Sequence, residues 1–203
     1  MALEADGIRE YIGGMRDAHA TLLADLGDLT DSQVRQPSLL PDWTVGHVLA
    51  HIARNADSVV RRLDGIRRNE IVDQYPGGAA GRAAEIEDGA VESAAALIED
   101  VRTTCVAVEA ACADIPDDEW GRLTRGVGGN ESPGYAVIFS RWREVEVHHV
   151  DLGLGYQPGL WPDRLVELWM PEVLEKLPDR TDPKLLLAWA VGRGPAPELA
   201  SWG

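Results

Sequence analysis

The chain has 203 residues, 45% of them hydrophobic and 26% charged, which suits one sizeable core with a smaller appendage. Its formal net charge of −15 argues against the electrostatic footprint that binding to nucleic acid or to an anionic membrane demands. No stretch approaches the ~20 consecutive apolar residues of a membrane span, and the opening MALEADGIREYIGGMRD lacks the basic flank and apolar run of a secretory signal, so a cytoplasmic location is expected.

In chain order, Leu3, Ile8, Ile12, Met15, His19, Leu22, Leu23 and Leu26 make a helical stripe that should end between Leu26 and Leu29, before the turn residues and prolines of DLTDSQVRQPSLLPDW. Thr44 carries the side-chain oxygen wanted at an N-cap. Val45, Val48, Leu49, Ile52, Ala56, Val59 and Leu63 follow at three and four spacing, so a second helix is predicted there, with Gly65 as its stop. The loop YPGGAAG leads into a third helix predicted from Arg82 to Ala113, before Pro116. A fourth begins after GVGGNESPG and runs to Asp151.

With no alternating strand pattern among them, these elements predict a helix bundle over residues 1–153. The stretch GLGYQPGLWPD reads as a linker, and residues 160–203 form a short C-terminal segment with two helix candidates, RLVELWMPEVLEKL and DPKLLLAWAVGRG. Cys105 and Cys112 stand seven apart, about 10 Å along one helix, too far for a disulfide within it, and are expected to be reduced core residues.

Four of the five histidines fall in two helical windows, His47 with His51 and His148 with His149. On a helical wheel His47 points away from the apolar stripe of the second helix, whereas His51 lies near its border, which favours His51 as the cleft-facing residue. In SRWREVEVHHVDLG the apolar face of the fourth helix is Ile138, Phe139, Trp142 and Val145, with His149 on the same side. Glu144 and His148 share the adjoining polar seam with Arg141 and Asp151. Their i, i+4 spacing brings a carboxylate and an imidazole together, and with His51 they would give a His, Glu, His set that leaves a position open on zinc. On spacing alone a solvated ion pair fits Glu144 and His148 as well as a ligand pair does.

The stretches LPDWTVGHVLAHIARNADSVVRRLDG, YPGGAAGRAAEIEDGA and SRWREVEVHHVDLGLGYQP, in this order and at these separations, resemble the mycothiol-dependent maleylpyruvate isomerases of the DinB-like superfamily. The closing LLLAWAVGRG resembles the end of that family's smaller C-terminal domain. The resemblance implies a mainly α, DinB-like up-down four-helix bundle with a short C-terminal appendage. It also implies a divalent metal, usually zinc, on His51, Glu144 and His148, and mycothiol as the low-molecular-weight thiol cofactor. The reaction implied is thiolate addition to maleylpyruvate, rotation about the new single bond and elimination to fumarylpyruvate. A related S-transfer to another electrophile uses the same parts.

A dicarboxylate substrate needs cations, for which Arg82, after YPGGAAG, and Arg193, in WAVGRG, are the candidates. Trp43 and Tyr75 are candidates to flank the thiol's sugar rings. Two other readings of the same metal ligands are a small hydrolase using zinc-bound hydroxide and a non-catalytic metal-binding sensor or partner module.

Overall fold

The structure is a computed structural model that describes residues 5–200. It divides into two compact units, residues 1–159 and 160–203. In the first unit lie α1 (Ala5–Leu26), the single turn α2 (Asp31–Val34), α3 (Val45–Arg68), α4 (Gly78–Ala90), α5 (Ala94–Ala113), a two-stranded hairpin and α6 (Gly134–Asp151). The hairpin pairs β1 (Leu123–Arg125) antiparallel with β2 (Glu131–Pro133). The second unit holds α7 (Asp163–Lys176), a 3-10 turn (Leu177–Arg180) and α8 (Pro183–Ala190).

Four long helices close a ring, because α1 packs on α6, α6 on α3, α3 on α5 and α5 back on α1. Met15, Leu22 and Leu26 of α1, Val48, Leu49, Ile52, Val59 and Leu63 of α3, Val101 and Val108 of α5, and Ile138 and Val145 of α6 meet inside it, all essentially without solvent contact. Burying each such side chain contributes about 1.5–3 kcal/mol before the entropy of ordering it is set against the gain. Cys105 and Cys112 are free and buried in this core. The close approach of α1 to α6 depends on Gly14, since a Cβ there would lie 2.4 Å from the indole of Trp142.

The second helix predicted from sequence runs through Gly65 to Arg68 and stops at Asn69, which takes the left-handed conformation at φ 55°. Gly65 serves the turn that follows. The N–H of Glu70 returns to the carbonyl of Gly65 at 2.8 Å, and a Cβ on Gly65 would sit 2.7 Å from the carbonyl oxygen of Glu70. The third predicted helix is in fact two. The chain leaves helical geometry at Val91–Ser93, where the hydroxyl of Ser93 accepts from the N–H of Ala96 at 3.2 Å and starts α5 afresh. Arg35 fastens the end of α4, donating to the carbonyls of Ala90, Val91 and Glu92 at 2.7, 2.6 and 2.8 Å.

The stretch read as a linker is partly docked: Tyr156 is buried, donates to Glu146 at 2.5 Å and stacks on His149 at 3.9 Å between ring centroids. No helix among the described residues is long and apolar enough to cross a membrane.

Candidate metal centre

Thr44 begins the site as well as α3. Its hydroxyl accepts from the N–H of His47 at 3.4 Å, while Nδ1 of His47 lies 3.2 Å from the N–H of Thr44, the reciprocal pattern of a capping box. His47 is thereby fixed at the helix entrance, with Nε2 3.5 Å from Glu87. One turn on, His51 is carried inward and is only 3% exposed.

From the other side of the bundle α6 supplies Glu144 and His148. Nε2 of His51, Nε2 of His148 and a carboxylate oxygen of Glu144 converge, with His51 to His148 at 2.9 Å, His51 to Glu144 at 3.3 Å and His148 to Glu144 at 3.2 Å. These atoms, each able to offer one lone pair, all lie within 4.8 Å of one another and could hold a metal ion. Such convergence, with His51 buried and Glu144 and His148 half-buried, is favourable only with a proton or a cation among the acceptors. A set of two imidazoles and one carboxylate suits zinc and similar divalent ions.

The remaining ring nitrogens are directed by neighbours. Asp151 lies 2.8 Å from Nδ1 of His148, which fixes that ring and leaves Nε2 toward the site. The guanidinium of Arg82 lies 3.1 Å from Nδ1 of His51, and Arg82 also stands over the ring of Tyr75, 5.9 Å from its centroid. Trp43 sets its edge toward His51 at 5.7 Å between ring centroids.

The electrostatics follow from burial opposed by these partners. Burial holds His51 down to about 4, which Glu144 only partly offsets. For His148 burial also lowers the pKa, but hydrogen bonds to Asp151 and Glu144 outweigh it and raise the group to about 9. Glu144 stays well below the usual carboxylate range: burial works the other way, but the hydrogen bonds of His148 and His51 prevail.

Of the residues singled out from sequence, His51, Glu144, His148 and Arg82 come together, and Trp43 and Tyr75 adjoin them. Trp43 is half-buried whereas Tyr75 is buried. Arg193 lies in the second unit, exposed, with its guanidinium near the carbonyls of Val191 and Gly192 at 3.4 and 3.2 Å. Arg141, read as part of the polar seam with Glu144, is instead 1% exposed and bonded within the core, to the carbonyl of Ile52, Asn55 and His19. Asp151 was placed on that seam without a role; the His-x-x-Asp spacing is the signal that its carboxylate faces the ring of His148.

The profile of the mycothiol maleylpyruvate isomerase N-terminal domain matches residues 15–153, a span that contains every one of the converging side chains. A crystal structure of the mycothiol-dependent maleylpyruvate isomerase shares the fold at a TM-score of 0.84, and that of a histidine-to-alanine mutant of it at 0.83. Each is 20% identical, over 99% of this chain and 100% of the other. No curated protein matches in sequence. Since the matching profile covers about two thirds of the chain, and the mainly α fold found here is also that of the two crystal structures, the chain belongs to the mycothiol maleylpyruvate isomerase family.

Proposed function

We propose that the protein is a mycothiol-using enzyme dependent on a divalent metal, zinc by choice of ligands, which isomerises maleylpyruvate to fumarylpyruvate or transfers the same thiol to a related electrophile. The observation that carries this reading is the convergence of His51, Glu144 and His148 from two helices. Those three residues would hold the metal. Bound there, a divalent metal lowers the pKa of a thiol to give a thiolate at neutral pH, and the thiol in turn makes a C=C bond temporarily single and rotatable.

The chain's own groups then have separable tasks. Asp151 keeps the ring of His148 oriented with Nε2 presented to the site. An arginine can only donate, so with Arg82 at 3.1 Å Nδ1 of His51 accepts. Were a metal held through Nε2, the proton of His51 would sit at Nδ1, which could then no longer accept from Arg82. The guanidinium of Arg82 would thereby be free for a substrate carboxylate. Trp43, half-exposed against His51, offers an apolar face to a ligand approaching from outside. Arg193 is retained as a proposed carboxylate-binding residue.

The test is thiol dependence. Purified protein should carry about one divalent ion per chain, and its cobalt-substituted form should change its visible spectrum on addition of mycothiol. Maleylpyruvate should be consumed only with the thiol present. A spectrum indifferent to mycothiol, with no thiol-dependent turnover, would remove the proposal.

A further inference from the structure

Along α3 the buried polar residues His51, Asn55, Ser58 and Arg62 follow at spacings of four, three and four, which sets them on one face of the helix. Three of them have evident partners: His51 in the converging trio, Asn55 accepting from Arg141 at 2.9 Å, and Ser58 donating to the carbonyl of Asn55 at 2.7 Å. Arg62 does not fit that pattern. It is 6% exposed, yet its one hydrogen bond is from Nε to the carbonyl of Ser58 at 3.4 Å.

That bond turns the side chain back by one helical turn, in the direction of His51. The two terminal nitrogens have no hydrogen-bond partner among the described residues, nor does any carboxylate there lie within ion-pair distance of them. Neither nitrogen is among the fully buried side-chain atoms left without a partner, so the fork of Arg62 reaches accessible space where an acceptor from outside can meet it. The comparison within the same bundle is Arg141, 1% exposed, whose donors meet a carbonyl, an amide oxygen and an imidazole.

The neighbouring segment shows where an acceptor would sit: Gln74, next to Tyr75, donates to the hydroxyl of Ser58 at 3.4 Å, on the turn that Arg62 folds back to meet. Burial lowers the pKa of Arg62 to about 10, while Tyr75 and Glu144 act in the opposite sense, so the group remains a cation at neutral pH. Tyr75 is also the ring beneath Arg82. The segment Gln74–Tyr75 thus reaches the turn held by Arg62 on one side and Arg82 on the other, and Arg82 in turn adjoins His51 of the converging trio.

We propose that Arg62 is a substrate-binding residue that, together with Arg82, forms a two-arginine clamp for a small substrate carrying two carboxylates. The inference deepens the reading above and rests on it for the placement of substrate beside His51 and Glu144. A monoanion satisfies only one guanidinium and leaves the other without a charged acceptor, so the pair selects for charge at both ends of the ligand.

Calorimetric titration with maleate and with its monomethyl ester tests this on the metal-loaded and metal-stripped protein. The wild-type protein should bind maleate at least 10-fold tighter than the ester in the metal-loaded form, with a smaller preference in the stripped form, where His51 still holds Arg82. Arg62→Gln should bring the two ligands within about threefold of each other, with helix content and metal content unchanged. Should Arg62→Gln fail to fold, Arg62→Lys keeps the charge without the fork and should reduce the preference by about threefold or more. A wild-type protein with no preference, or a folded variant that retains the full preference, overturns the clamp. Thiol-dependent turnover is read separately: its absence from the wild-type protein sinks the enzymatic proposal, while its presence beside an undiminished preference in Arg62→Gln sinks only the role of Arg62.

Discussion

Two clusters inside the bundle contain the same kinds of residue and behave oppositely. Around Arg141, a buried arginine donates to the carbonyl of Ile52, to Asn55 and to Nε2 of His19, whose Nδ1 lies 3.1 Å from Glu109. Each donor there faces an acceptor, and the cluster closes on itself. Around His51, Glu144 and His148, two imidazoles and a carboxylate from two helices converge at 2.9–3.3 Å, close enough to hold one metal ion between them. Burial and charge are common to both; the directions of donors and acceptors separate a structural network from a site.

The contrast breaks most sharply under substitution. Glu144→Ala should cost metal affinity and thiol-dependent turnover on the order of 1000-fold or more, because a direct ligand outweighs the 10–100-fold that outer partners command; metal analysis and single-turnover assays check it, and urea stability should change little. Arg141→Met should do the reverse. It leaves His19 and Asn55 buried without their donor and should lower urea stability by about 3 kcal/mol or more, while the folded fraction still binds metal. Asp151→Asn tests the intermediate case, an orienting partner, and should weaken metal binding about 10-fold or more in a competition titration with a chelator, with stability nearly intact.

Acid sharpens the comparison from the structural side. Burial, aided by the charge of Arg141, lowers His19 from 6.5 to about 2, so the folded protein keeps this ring neutral where the unfolded chain protonates it. The unfolded state then binds the extra proton between pH 6.5 and 2, and stability falls as pH drops through that window, by up to about 1.4 kcal/mol per pH unit from this group. Denaturation midpoints at pH 6.5, 5.5 and 4.5 should show that slope, and His19→Gln should flatten it. The smallest effect belongs to His47→Ala, which removes one half of a capping box. It should cost about 0.5–1 kcal/mol of thermal or urea stability and leave the metal in place.

How much of this the sequence carried depends on how local each feature is. The pairing of Glu144 with His148 needs only the period of one helix, and the preference for His51 over His47 needs only the apolar stripe of α3. The third ligand came from that wheel and from the resemblance together, because periodicity cannot say which helices face each other. Arg141 was misplaced for the same reason: its partners His19, Asn55 and Cys105 are on three other helices. The break between α4 and α5 hid in an alanine-rich run whose only marker is the hydroxyl of Ser93. The hairpin hid because three-residue strands are too short to display alternation. Residues 1–4 and 201–203, including Leu3 of the first predicted stripe, lie outside the described residues.

The interruption at Val91–Ser93 also bears on how this scaffold diversifies. Were α4 and α5 one continuous rod, lengthening the part that bears Arg82 by a residue would rotate every core side chain of α5 by about 100°. With the join loosened and pinned by Arg35, the Arg82 arm is a separately exchangeable cassette: its length and composition can drift while Leu97, Val101, Cys105 and Val108 keep their register in the core. New substrate shapes are then accessible by mutation at the outward positions of these 13 residues, while Ile86 and Ala90 keep the arm seated on the interior.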